Sequence, residues 1–133
     1  MKKRILSFAM VCVLMYSMCL TVSAASASDS GVTTGGTDGR VSTTADLYVY
    51  TDHAVGETWS EAYDTSILKT IVKFFYRGMN NNIAYCIDQG HAVISVSPPN
   101  NAGLMSGING ESVHRVSSTK YGTWTSALTA NVW

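Results

Sequence analysis

Hydrophobic and polar positions alternate most clearly toward the C-terminal end of this chain. From Thr123 onward, Trp124, Ser126, Leu128, Ala130 and Val132 fall on one side of an extended backbone, and Thr123, Thr125, Ala127, Thr129 and Asn131 on the other. A period of two, rich in Thr, predicts an antiparallel strand with one buried and one wet face. Just upstream, Ser112 to Ser117 alternates Val113 and Arg115 against His114 and Val116, and Thr119, Lys120, Tyr121 and Gly122 supply the hairpin turn between the two. A second hairpin is expected from 83–87 and 91–97, closed by Asp88-Gln89-Gly90 with glycine in the left-handed position. Pro98-Pro99-Asn100-Asn101 ends that unit. Leu47 to Thr51 reads as another short strand.

Ser66 to Tyr76 supports two readings. Its Ile, Val, Phe, Tyr and Thr content favours a strand. Yet Ser66, Lys69, Thr70, Lys73 and Arg77 share one helical face, and Ile67, Leu68, Ile71, Phe74 and Phe75 the other, with Asp64 and Gly78 placed to cap such a helix. The strand is preferred. It leads to an all-β fold, a small antiparallel β-sandwich; the alternative is an α+β fold with one helix near 65–77 packed on an antiparallel sheet.

The pattern breaks at the N-terminus. Lys2, Lys3 and Arg4 precede an apolar run from Ile5 to Leu20, and Val22-Ser23-Ala24 offers the small residues that a signal peptidase reads. As a helix this run spans about 24 Å at 1.5 Å per residue, short of a hydrocarbon core about 30 Å thick. Residues 1–24 are therefore expected to be a secretory signal, cleaved before Ala25, and no permanent membrane anchor is expected afterwards. Export to the extracellular space follows. Residues 25–45 are almost wholly Ala, Ser, Thr, Gly and Asp and read as a flexible spacer. The expected domain is residues 46–133.

Composition narrows the function. The 133 residues carry nine basic and nine acidic side chains. Removing Lys2, Lys3 and Arg4 leaves six basic against nine acidic groups, a formal charge of −3. Nucleic acid is not the expected partner, because such binders need a basic excess to displace counterions. The chain holds no Walker loop, dinucleotide fingerprint, HExxH or paired CxxC. His53, His91 and His114 lack metal-ligand spacing, so neither metal nor cofactor is expected, and they read as surface or sheet-face groups. Asp46, Asp52, Glu57, Glu61 and Asp64 read as a solvated loop region. A cleft for glycoside chemistry fits poorly in so short a domain, and no enzyme is expected.

Cys86 is the one cysteine beyond the leader, which excludes an intramolecular disulfide and leaves an intermolecular one open. In the hairpin register it sits opposite Ala92, on a face with Ala84, Ile94 and Val96. Such surroundings quiet a thiol. The same register points His91 to the opposite face, which disfavours a Cys86–His91 nucleophile pair. Aromatic residues are numerous; most are expected in the core or on sheet faces. Tyr121, Trp124 and Trp133 are the candidate surface contacts for an envelope component or a protein partner.

Two resemblances add to this. Tyr85-Cys86-Ile87-Asp88 resembles the aromatic–Cys–apolar segment of thioester domains in Gram-positive surface adhesins, and the spacing to Gln89 resembles the C-x-x-Q of complement-type thioesters. That resemblance implies a Cys86–Gln89 crosslink that captures amines. The layout of leader, spacer and strands, ending in Tyr121-Gly122-Thr123-Trp124-Thr125-Ser126-Ala127-Leu128, is similar to short exported Gram-positive proteins, including lactococcin-type β-sandwich bacteriocins. It implies a bacterial, secreted, all-β protein acting at the envelope, with a cell-wall precursor as the target in that family. The leading reading is a secreted, non-enzymatic binding protein; the alternatives are a β-sandwich bacteriocin and a thioester-type adhesin fragment.

Overall fold

The period of two governs the whole described chain, residues 25–62, 67–100 and 102–132 of a computed structural model. In chain order the strands are β1 (Ala25–Val32), β2 (Thr34–Gly35), β3 (Ser42–Val49), β4 (Ala54–Ser60), β5 (Ile67–Gly78), β6 (Ile83–His91), β7 (Val93–Val96), β8 (Leu104–Ser118) and β9 (Gly122–Asn131). They form a four-stranded sheet, β1-β3-β4-β7, and a five-stranded sheet, β2-β9-β8-β5-β6, in which every neighbouring pair is antiparallel. The two sheets pack face to face as a small β-sandwich, with β1 across from β9 and β4 across from β5 and β8. No helix occurs among the described residues.

Alternation explains the core. In β3, Thr43, Ala45, Leu47 and Val49 point inward; in β5, Thr70, Val72, Phe74 and Tyr76 do so. Leu47, Val49, Val72 and Phe74 are fully buried, and each such side chain contributes about 1.5–3 kcal/mol through removal from water. Residues 65–77 are thus not helical where described: strand β5 wins because its inner residues meet the opposite sheet at every second position. The helical reading arose because Ile71 and Phe75 also line the outer face, which blurs the alternation.

Two expectations are corrected. Residues 25–45 are not a flexible spacer, since they build β1, β2 and the first part of β3. An edge strand needs few large side chains when its backbone is paired, and β1 pairs with β3 over its full length, from Ala25↔Val49 to Val32↔Ser42. Small residues even help here: a Cβ on Gly31 would lie 2.4 Å from the Trp124 Nε1 that packs beneath it. The second correction is the hairpin at 83–97. Strand β6 runs straight through Asp88-Gln89-Gly90 and pairs with β5, while β7 joins the other sheet. The turn that redirects the chain is at Ala92, in the left-handed conformation with φ of 56°. Gly90 is needed for closeness and not for a turn, because a Cβ there would meet Ile94 Cδ1 at 2.5 Å. The proposed leader, residues 1–24, lies outside the described residues.

Of the five links that change sheet, β1–β2 at Thr33 and β6–β7 at Ala92 run over opposite ends of the strand order. Thr33 is fully buried at its crossing, with its amide donating to the Val41 carbonyl at 3.1 Å and its Oγ1 accepting from the Val41 amide at 3.1 Å.

Candidate functional site

Outward residues of β5, β6 and β8 form a continuous surface. Along β5 these are Lys69, Ile71, Lys73, Phe75 and Arg77; along β6, Ile83, Tyr85, Ile87, Gln89 and His91; along β8, Glu111, Val113 and Arg115. Register sets the neighbours: Lys73 lies between Ile87 and Glu111, Ile71 between Gln89 and Val113, and Phe75 beside Tyr85. The Lys73 ammonium sits 4.5 Å from the Phe75 ring centroid and 4.3 Å from that of Tyr85. The two rings are tilted by 49° with centroids 5.9 Å apart. A cation over aromatic faces is held by the ring quadrupoles. A shallow groove runs between Ile71, Lys73, Ile87, Glu111 and Val113.

This surface is unusually apolar for one facing water. Ile83 is 65% exposed, Tyr85 58%, Ile87 57% and Val113 48%, and Met79 in the adjoining turn is 76% exposed. Scattered apolar residues are ordinary, but a contiguous group signals contact. Strand β6 is also the edge of its sheet and carries no Lys or Pro to block it.

The outer face of the other sheet also exposes apolar side chains, Val32, Trp59 and Val93, but its charged groups are acidic. Asp46 and Glu57 sit directly across from one another on β3 and β4, so they belong to strands and not to a loop as the sequence suggested. Asp46 is the main cause, with burial, Glu57 and Tyr50 adding, of a Tyr48 phenol pKa above its usual value. Ser28 donates to Asp46 at 2.6 Å, and Trp59 stands 53% exposed on the same face. That Trp59 belongs to the surface was not evident from its sequence neighbours.

The residues singled out from sequence do not converge. Cys86 points inward from β6, half-buried against the core with Ala84 and Ile94, its Sγ 3.8 Å from the Phe74 carbonyl. Its partner across the ladder is Phe74 and not Ala92, yet the surroundings are the apolar ones expected. Burial pushes its thiol pKa up, opposed by a backbone hydrogen bond. Gln89, three positions along the same strand, faces outward. The β6 ladder thus holds Cys86 and Gln89 on opposite faces of the strand. His91 also lies on the face opposite Cys86. Trp124 is an inward residue, half-buried beneath Gly31, and not a free surface contact. Tyr121 is half-buried in the β8–β9 turn, its backbone pressed against Gly36. Trp133 lies outside the described residues.

His114 is the residue whose surroundings sequence did not disclose. Its inward direction was legible, but it is fully buried between the sheets. A chain of hydrogen bonds engages both of its nitrogens, and the order of donors follows from one end. Thr70 Oγ1 donates to the Ala92 carbonyl at 2.6 Å, so it accepts from Thr58 Oγ1, also at 2.6 Å. Thr58 Oγ1 then accepts from His114 Nδ1 at 2.8 Å, which leaves Nε2 to accept from Ser112 Oγ at 2.6 Å. The imidazole is neutral with its proton on Nδ1. Burial lowers its pKa, opposed by the Asp46 charge and the Glu57 backbone. Gly56 makes the space: a Cβ there would meet Val72 Cγ2 at 2.5 Å and Thr70 Cγ2 at 2.9 Å. The network ties β4, β5 and β8 together and consumes the histidine's bonding capacity. His53, by contrast, sits in the β3–β4 turn, stacked on Tyr50 with centroids 4.4 Å apart and its Nδ1 2.6 Å from Asp52.

No family model matches the chain, and neither a curated protein nor a solved structure matches it.

Proposed function

We propose that the protein is a non-enzymatic interaction module, secreted and acting at the cell envelope or in the extracellular space, with the outer face of β5, β6 and β8 as its contact surface. The observation that carries this reading is the gathering of Ile83, Tyr85, Ile87 and Val113, each about half exposed or more, on one face of one sheet. Holding these side chains in water is unfavourable by roughly 25 cal/mol per Å² of apolar area, a cost that a partner removes on docking. Tyr85 supplies the kind of rigid, amphipathic anchor that dominates interfaces. A role in contact is supported further by Cys86 and His91 occupying opposite faces of β6 and by His114 being enclosed with both nitrogens engaged.

The test is binding of the purified protein to isolated envelopes of Gram-positive cells, comparing wild type with the Tyr85→Ser, Ile87→Ser double variant. Both positions face solvent, so the fold should survive, as checked by circular dichroism. Retention of wild type on the envelope and loss of the variant supports the reading; equal behaviour of the two overturns it. A second reading, a β-sandwich bacteriocin of the lactococcin type, is favoured by the two-sheet all-β architecture. A growth-inhibition zone on related cells supports it, and full growth at high dose removes it.

A further inference from the structure

We infer that the contact surface on β5, β6 and β8 docks on an anionic phospholipid bilayer, a proposal that rests on the interaction role above and names its partner. The argument is the segregation of charge. Of the six basic residues in 25–133, four lie on this one outer face: Lys69, Lys73, Arg77 and Arg115. Glu111 is the acidic residue among the outward positions of β5, β6 and β8, and exposed Asp88 on β6 borders the same surface beside Ile71, Ile87 and Gln89, so the four basic groups meet two acidic ones. The opposite face of the sandwich carries Asp46 and Glu57 with no Lys or Arg on its strands. Both outer faces expose apolar side chains, but only this one is basic, so an anionic plane orients the molecule with this side inward.

The layout of the surface fits a headgroup layer. Ile83, Tyr85 and Ile87 project in a row from the edge strand. Ile83, Tyr85 and Ile87 reach the boundary between headgroups and acyl chains, where tyrosine is favoured. The basic side chains stand one and two strands behind, on β5 and β8, at the height of the phosphates. Lys73 is held over the Phe75 and Tyr85 rings, so its charge is already fixed beside the apolar row. A second copy of the chain suits this face poorly, because stacking two of them brings each basic group of four against its own kind.

The experiment uses the protein purified from cells expressing the whole chain, sedimented with vesicles of phosphatidylcholine alone or with about one-third phosphatidylglycerol. Expected is binding to the anionic vesicles that exceeds binding to the neutral ones at least tenfold and weakens sharply in high salt. Each removed basic group costs about fivefold, so Lys73→Gln with Arg115→Gln weakens binding roughly 25-fold. Ile83→Ser with Ile87→Ser weakens it as well, with an unchanged circular dichroism spectrum for both variants. Equal binding to the two vesicle types overturns the anionic-lipid assignment. No vesicle binding, with envelope binding kept, overturns the lipid partner and leaves the interaction role standing; loss of both removes the two together. A dimer in sedimentation velocity that Ile87→Ser dissociates, without vesicle binding, assigns the face to a second copy and overturns the proposal.

Discussion

Replacing Thr58 by Val removes one hydroxyl from the middle of the buried chain that ends at the Ala92 carbonyl, and keeps the side-chain volume nearly constant. Thr70 retains its bond to Ala92, but the 2.6 Å Thr58–Thr70 bond is lost. Its net worth is about 1 kcal/mol. The larger loss is at His114, whose Nδ1 has Thr58 as its 2.8 Å partner. Shifting the proton to Nε2 does not help, because Nδ1 then becomes an acceptor with no donor. A buried polar atom that loses its side-chain partner costs about 1–3 kcal/mol, toward the lower end where the Glu57 backbone that also bonds the ring takes up part of the loss. The variant should therefore be about 2–4 kcal/mol less stable. For a domain of this size that is a drop of roughly 10–20 °C in Tm. Urea unfolding followed by fluorescence of Trp59 and Trp124 measures it. The same Thr58→Val change made in a His114→Leu background should cost about 1–3 kcal/mol less, since no ring nitrogen remains to be orphaned. A loss below about 0.5 kcal/mol in wild type, or no coupling in the cycle, would refute the assigned order of donors.

Other outcomes follow from the same geometry. Burial holds the His114 pKa below its usual 6.5, so the unfolded chain takes up a proton that the folded interior refuses. The histidine's share of stability is therefore complete above about 6.5 and is lost as pH falls from there toward the folded value; urea midpoints across this range should decline more steeply for wild type than for His114→Gln. Ala92 has a φ of 56°, where a Cβ costs about 1–2 kcal/mol. Ala92→Gly should relieve that, and after the extra backbone entropy of glycine raise stability by up to about 1 kcal/mol, read as a higher urea midpoint. The Cys86 thiol, raised in pKa and half-buried, should react slowly with a thiol reagent in native protein and promptly in denaturant. Equal rates in both states would place the side chain outside the core.

Sequence made the β8–β9 hairpin legible because most of the apolar residues of β9 sit on one side, and Trp124, Ser126, Leu128 and Ala130 do face inward. Strand β5 was legible only as one of two readings, since Ile71 and Phe75 on its outer face mimic a helical stripe. The same two residues belong to the contact surface, so the ambiguity and the candidate site have one cause. Strand β1 could not be read, because its sequence, ASASDSGV, carries almost no apolar signal and its order comes from pairing with a strand about twenty residues on. The break at Ala92 was hidden because no glycine or proline marks it. Cys86 stood out by type alone, whereas the charge segregation emerges only once β5 and β8 are side by side.

The pairing of Thr34 with Thr123 has a consequence for how the molecule comes into being. The second strand waits for a partner nearly ninety positions later, so a growing polypeptide cannot close that corner until β9 has emerged. That corner therefore closes late, and a product truncated before Gly122 leaves β2 without its partner and the β8 edge bare, open to proteases and to other chains.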